Sequence, residues 1–229
     1  MRKFFSYITL LLIVLPFMSC QEKKAEANVP KWILSMVSES KNTSVETDFS
    51  NILSDKRVPY IGYIGTEYQK FTIDIQKVQR TDDNQYAVSG ITAVKSNRCN
   101  FHGTINIVEN REFTHPTYGV DDSMKGQFKR RGCSIAKYNF EEEKSQTGSG
   151  VFTGYLLFYW YETNDGKFVY DDIDSHSDSY CNIQYAGTWT SNKTKKSKPC
   201  AWGQYRVPNS GDLDIGAGDF SVNPKYAKN

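Results

Sequence analysis

Apolar and polar positions divide the chain into stretches with different rhythms. Residues 4–18 are almost wholly apolar behind Arg2 and Lys3, and the small Ser19 closes the run. Residues 20–29 are mostly polar and without period, the composition of a flexible tether. Two short helices are predicted next. One opens at Pro30 and runs to Val37, because proline suits a first helical turn; a weaker one covers residues 48–53. From Tyr60 onward the rhythm is that of strands. Residues 71–75 and 104–108 alternate apolar with polar, and residues 86–91 read as a strand between them.

A local motif repeats along this region: an aromatic, any residue, a glycine, then a strand. It occurs at Phe101-His102-Gly103, Phe152-Thr153-Gly154 and Tyr185-Ala186-Gly187, with Tyr60-Ile61-Gly62 as a fourth instance. The intervals of 41, 51 and 33 residues fit no solenoid or propeller period. Glycine within a strand marks a bulge or tight bend, the device by which a sheet curls. Aromatics form 14% of the chain and concentrate in these runs, as β-structure favours. The predicted fold is therefore mainly β: an antiparallel meander forming a closed or partly open barrel, with one or two short N-terminal helices. A sandwich is the alternative. No Pro/Gly/Ser-rich linker interrupts residues 30–229, which are read as a single β-rich domain.

Only 16 residues separate Lys3 from Cys20, short of the ~20 that a spanning helix needs. A basic start, an apolar core and a small residue at the cut make a secretory signal, so residues 1–19 are expected to be removed. Phe17-Met18-Ser19-Cys20 resembles the end of a bacterial lipoprotein signal. That resemblance implies that Cys20 becomes the lipidated first residue and that the membrane is a partner through its acyl chains. Each buried methylene contributes ~0.8 kcal/mol, and two or more chains anchor stably. The signal, the aromatic-x-Gly strands and Cys200-Ala201-Trp202-Gly203-Gln204-Tyr205-Arg206-Val207-Pro208, running into residues 211–220, together resemble uncharacterised β-rich cell-envelope lipoproteins of Bacteroidota-type bacteria. The resemblance implies an outer-membrane lipoprotein and no particular activity. In such bacteria O-glycans are added at Asp-Ser/Thr-apolar triplets, which Asp122-Ser123-Met124 matches.

The chain carries 28 basic and 26 acidic residues, and losing residues 1–19 removes Arg2 and Lys3, leaving 26 of each. A neutral domain exerts no long-range pull on nucleic acid or an anionic membrane, so no nucleic-acid partner is expected. Lys193, Lys195, Lys196 and Lys198 form a local basic run that reads as a solvated loop. Beyond Cys20 there remain Cys99, Cys133, Cys181 and Cys200. An even number in an exported chain reads as two disulfides. Of the three connectivities, Cys99–Cys133 with Cys181–Cys200 is expected. No two lie at the C-x2-4-C spacing of a zinc site.

His102, His115 and His176 match no metal-binding spacing. Residues 171–178 hold serine, histidine and aspartate side by side, whereas a triad draws its members from separate parts of a fold; no G-x-S-x-G occurs. This segment is expected to be an acidic loop, and neither catalytic residues nor cofactors are assigned. Asp212-x-Asp214-x-Gly216-x-Gly218-Asp219 resembles the start of a calcium loop but lacks its later ligands. A metal-free turn is expected there, with calcium on Asp212, Asp214 and Asp219 as the alternative. Tyr159, Trp160, Tyr161, Trp189 and Trp202 are the candidate binding surface. The expected function is a lipid-anchored envelope binding or interaction protein without catalytic activity, of immunity type or ligand-binding, with an unknown protein or glycan partner. The alternative is a hydrolase of envelope polymers using acidic-loop carboxylates, and a purely structural envelope component is a third reading.

Overall fold

A computed structural model of the chain describes residues 29–227; Cys20, the leader and the tether up to residue 28 lie outside them. Two helices, α1 (Lys31–Met36) and α2 (Ser50–Leu53), flank a short strand β1 (Ser40–Asn42). The strands that follow are β2 (Ile61–Ile64), β3 (Gln69–Asp82), β4 (Gln85–Val94), β5 (Asn97–Phe113), β6 (Phe128–Glu142) and β7 (Gly150–Thr163). After them come β8 (Phe168–Tyr170), β9 (Asn182–Ser191) and β10 (Ser197–Gln204). The ladder runs β5-β4-β3-β2-β10-β9-β7-β6 and returns to β5, so eight antiparallel strands close into a ring. β1 and β8 are short additions to β5 and β7, beyond the reach of β4 and β9. The expected antiparallel barrel is thus present, and closure removes the edges along which open sheets aggregate.

Period-2 alternation decides what enters the barrel. Along β7, Phe152, Leu156, Phe158 and Trp160 are buried in the interior, while Thr153 and Tyr155 lie on the outer face. Phe71, Phe101, Tyr138, Phe140, Phe152, Tyr185 and Trp202 fill the centre. Tyr185 stacks on Trp202 with centroids 4.8 Å apart, and Tyr138 meets the same indole edge-on at 5.2 Å. An eight-stranded barrel is just wide enough for side chains to fill it, and this one is filled.

The motif glycines make room for those rings. In the register Gly62 stands between Phe71 and Trp202, and Gly103 stands opposite Phe140. A Cβ at Gly62 would lie 2.7 Å from the Trp202 Cβ and 3.0 Å from Phe71 Cδ1. None of the register shifts falls at a motif glycine. Gly62, Gly103 and Gly154 therefore make space for an aromatic on the next strand rather than a bulge, while Gly187 allows close backbone approach to Thr153 and Gly154.

α2 plugs one end of the ring, with Phe49 edge-on to Phe158 at 5.1 Å and Ile52 and Leu53 in the core. α1 lies outside, its Ile33 and the adjoining Val37 packed with Cys133, Ile135 and Leu157. Residues 207–227 form a strap over the outer face, where Val207 and Leu213 join Tyr63, Ala186 and Ala201. Among the described residues no helix is long and apolar enough to cross a membrane.

Candidate functional site

With the interior occupied by rings, an apolar concavity lies outside, between β2–β3 and the strap. This groove of about 560 Å³ is walled by Pro59, Ile61, Tyr68, Phe220, Val222 and Tyr226, with Lys70 and Thr72 as polar contributors. Tyr63, Tyr68 and Tyr226 form a ladder of edge-to-face contacts, each 4.9 Å between centroids. Hydrogen bonds fix the outer rungs: Tyr63 Oη donates to the Asn209 carbonyl at 2.9 Å, and Tyr226 Oη to Asp212 at 2.8 Å. Sequence reasoning missed this groove. Its members come from separate segments and share no spacing, and the only signal was a few isolated aromatics without alternation.

Arg206 holds the strap. Its guanidinium donates to Asp214 Oδ2 at 2.5 Å and to the carbonyls of Gly216 (3.0 Å), Ala217 (2.8 Å) and Gly218. Asp214 Oδ1 accepts from the amides of Gly216 and Ser221, both at 3.0 Å. Burial alone would raise the Asp214 carboxyl, but the Ser221 amide, Arg206 and the Gly216 amide hold it below its usual range. Of the three aspartates of the calcium alternative, Asp214 faces this guanidinium together with the carbonyls of Gly216, Ala217 and Gly218. Asp212 instead faces Lys225 and Tyr226, and the described residues contain no metal-holding cluster. Gln204, from the same stretch, donates to the carbonyls of Asp55 (3.1 Å) and Val58 (3.3 Å) and accepts from Tyr170 Oη at 2.7 Å. The polar residues of this signature stretch are spent on holding the fold.

The acidic loop 171–178 is likewise structural. Arg131 donates from Nε to Asp171 at 2.5 Å and from Nη1 to Asp174 at 2.7 Å, with Thr117 as a further acceptor. Burial pushes the Asp171 carboxyl up, while Arg131 and the Ile173 amide pull it back. His176 is exposed and takes no part in these bonds. Glu142, buried beneath the β6–β7 turn, accepts from Thr92 Oγ1, the Gly150 amide (2.7 Å) and Trp189 Nε1 (3.0 Å).

The expected aromatic surface does not assemble. Trp160 and Trp202 are fully buried inside the ring, and Trp160 Nε1 donates to Ser134 Oγ at 2.9 Å. Tyr159 packs against the α1 cluster and stacks on Phe113, Tyr161 leans on Phe128, and Trp189 is half-buried over Glu142. Residues at even spacing from Phe152 and Phe158 must face inward, and Trp160 is one of them.

The expected disulfides are also corrected, because all four cysteines are free thiols. Cys133 pairs across the sheet with Arg111, which lies 111 − 99 = 12 residues along β5 from Cys99. That is ~40 Å at the rise of a strand, against a Cα separation below ~7 Å for a disulfide. Cys200 pairs with Gly187, 187 − 181 = 6 residues beyond Cys181, again ~20 Å. Burial pushes the thiols of Cys133, Cys181 and Cys200 up to about 12.

A second concavity of about 890 Å³ is polar and lies between residues 43–46, the β3–β4 turn and residues 107–110 of β5. It opens because β4 pairs with β5 only as far as Asn106 while β1 begins at Arg111. Glu46, Asp83 and Glu109 face it, with Asp83 bound to Arg80 and Glu109 to Arg111. Comparison with protein-family models, with curated proteins and with solved structures finds no match for this chain.

Proposed function

We propose that the protein is a lipid-anchored binding or interaction protein of the cell envelope, without catalytic activity, that meets a protein or glycan partner on the outside of its barrel. One observation carries this reading: the interior is filled by Phe71, Tyr138, Phe140, Tyr185 and Trp202, which leaves the strap groove as the apolar recognition surface. The most elaborate polar clusters, around Arg131, Glu142 and Arg206, satisfy their own partners and stabilise the fold. Ser123 of the Asp122-Ser123-Met124 triplet is exposed, which suits the glycan addition implied by the resemblance.

Fractionation and capture test the reading together. Cys20→Ala should move the protein from the membrane to the soluble periplasmic fraction; a variant that still pellets after a high-salt wash overturns the anchor. Affinity capture of the intact lipoprotein from its own envelope should recover a partner that Phe220→Asp loses. Equal capture by that variant removes the groove from the proposal. The polar cleft favours one other reading, a hydrolase of envelope polymers, because Glu46 forms no salt bridge among the described residues whereas Glu109 is held by Arg111. Two carboxylates in unequal surroundings are the raw material of acid–base catalysis. Envelope-polymer turnover that Glu46→Gln abolishes would move the protein to this class.

A further inference from the structure

Summed over the chain after residue 19, charge cancels; over the fold it separates. Four reversals, β2–β3, β4–β5, β6–β7 and β9–β10, gather at one end of the barrel. Contacts between them knit that end: the Gly65 amide donates to the Pro199 carbonyl at 2.7 Å, Asn192 to Ser149 at 2.9 Å and Glu143 to Asn100 at 3.0 Å. One reversal contributes Lys193, Lys195, Lys196 and Lys198, and its neighbours add Lys95, Arg98 and Lys144. All are exposed, and none forms a salt bridge among the described residues. The exposed acidic residues on the same turns are Glu67 and Glu143, since Glu142 is buried. The opposite end carries an acidic surplus, with Asp82 and Asp83 beside the β3–β4 turn, Asp121 and Asp122 before β6, and Glu46 and Asp48 before α2, against Arg80 and Lys125, which pair with Asp83 and Asp122.

β3 alone runs 14 residues, roughly 45 Å of strand. Even with the tilt of a barrel the two ends lie several Debye lengths apart, at ~8–10 Å each, so each end presents its own field.

We propose that the basic end is a docking surface for anionic lipid headgroups, seating the barrel end-on against a membrane. The seating rests on the reading of Cys20 as the anchor. Residues 20–28 can span at most ~32 Å, and Val29 packs on the α1 cluster with Leu157, seven residues along β7 from Gly150 at the basic end, ~23 Å of strand. The tether could reach either end of the barrel. Charge selects between them: an anionic leaflet attracts the unpaired cations and repels the acidic loops, and each cation near such a surface multiplies the partition several-fold.

The test uses the chain from residue 20 onward carrying Cys20→Ala, which has no lipid of its own, and vesicles of phosphatidylcholine with or without phosphatidylglycerol. Co-sedimentation is expected with the mixed vesicles alone, and it should fade as salt rises through physiological strength. Replacing Lys193, Lys195, Lys196 and Lys198 by glutamine should weaken it about tenfold or more, with an unchanged melting curve. The same replacement at Lys41, Lys56, Lys125 and Lys167 should leave it near the parent value. Equal binding to both vesicle types, or an unweakened quadruple variant, overturns the proposal. So does retention on heparin beads without vesicle binding, which would mark a soluble polyanion as the partner. The cell fractionation of Cys20→Ala reads the anchor and this assay reads the basic end, so the two can fail separately.

Discussion

Replacing Arg206 by methionine keeps the aliphatic stem and removes the guanidinium that grips the strap. Both partners are well buried, with the Arg206 and Asp214 side chains 13% and 9% exposed. Removing one member of a buried pair costs ~3–5 kcal/mol, because the other charge stays behind. Asp214 retains two amide donors, which places the loss near the lower figure, ~3 kcal/mol. The ring closes without residues 207–227, so the loss should open the strap rather than unfold the barrel. Hydrogen exchange at the amides of Gly216 and Ser221 should accelerate roughly a hundredfold, ~1.4 kcal/mol for each factor of ten, while amides of β3–β5 keep their protection. Adding Asp214→Asn removes the stranded charge and should recover part of the loss. Acid should act on the same contact. A carboxyl held below its usual range contributes stability that is complete above its unfolded pKa of ~3.9 and is lost as pH falls through the lower folded value. The strap of the parent should therefore loosen below about pH 4, and Arg206→Met, without the guanidinium that helps hold the carboxyl down, should lose less on acidification. Unchanged exchange at Gly216 and Ser221 in the variant would refute the guanidinium as the clasp. Matching losses in β3–β5 would refute the strap as a separable unit.

Gly62→Ala should destabilise the barrel by ~1–3 kcal/mol through overpacking against Trp202 and Phe71, read as a lowered urea midpoint at constant slope; a neutral result would show that the rings can yield. Peptide mapping of unreduced protein should find Cys99, Cys133, Cys181 and Cys200 unlinked, and a thiol reagent should reach the buried three, Cys99, Cys133 and Cys200, only on unfolding. A recovered Cys99–Cys133 peptide would contradict the β5–β6 register.

Alternation and the aromatic-x-Gly motif carried the fold. Residues 71–75, 86–91 and 104–108 fall in β3, β4 and β5, and both helices appear within a residue or two of their expected starts. The strands proved longer because residues 76–82 and 109–113 are mostly polar continuations, Val78 and Phe113 excepted, extended chiefly by pairing. Register was not legible, and the cysteines show why: sequence distance says nothing of which residues of two long strands stand opposite. The inward direction of Trp160 was legible, since it shares parity with Phe152, Leu156 and Phe158, but contiguity of aromatics drew attention to a surface instead. Arg206 was also in view, a few residues before the aspartates. Which cation takes the oxygens of a glycine-rich loop depends on how the chain turns between Val207 and Leu213, and composition does not encode that turn.

A meander on a ring explains why the charge could separate at all. Up-and-down strands place alternate connections at opposite ends, and here four connections of two to seven residues share one end while the long ones, 114–127 and 164–181, share the other with the short β3–β4 turn. Lys95 and Lys195 hold positive φ, 54° and 58°, which turns usually give to glycine or asparagine, so the basic bias there is kept against local preference. The long loops plug the ring with Phe49 and Phe168 and form ion pairs such as Arg131–Asp171, and their surplus of carboxylates collects beside those pairs. On the proposed seating, the basic turns meet the leaflet while the polar cleft at the acidic end points outward, and the strap groove runs up the flank with its Tyr68 wall in the β2–β3 turn beside the leaflet. The cleft is then clear of lipid, and the groove is clear of it except at that wall. An inverted seating would press the acidic loops and the cleft against anionic headgroups, which like-charge repulsion disfavours. On this proposal, a variant that weakens vesicle binding should also weaken partner capture from intact membranes, while leaving capture from detergent extracts unchanged.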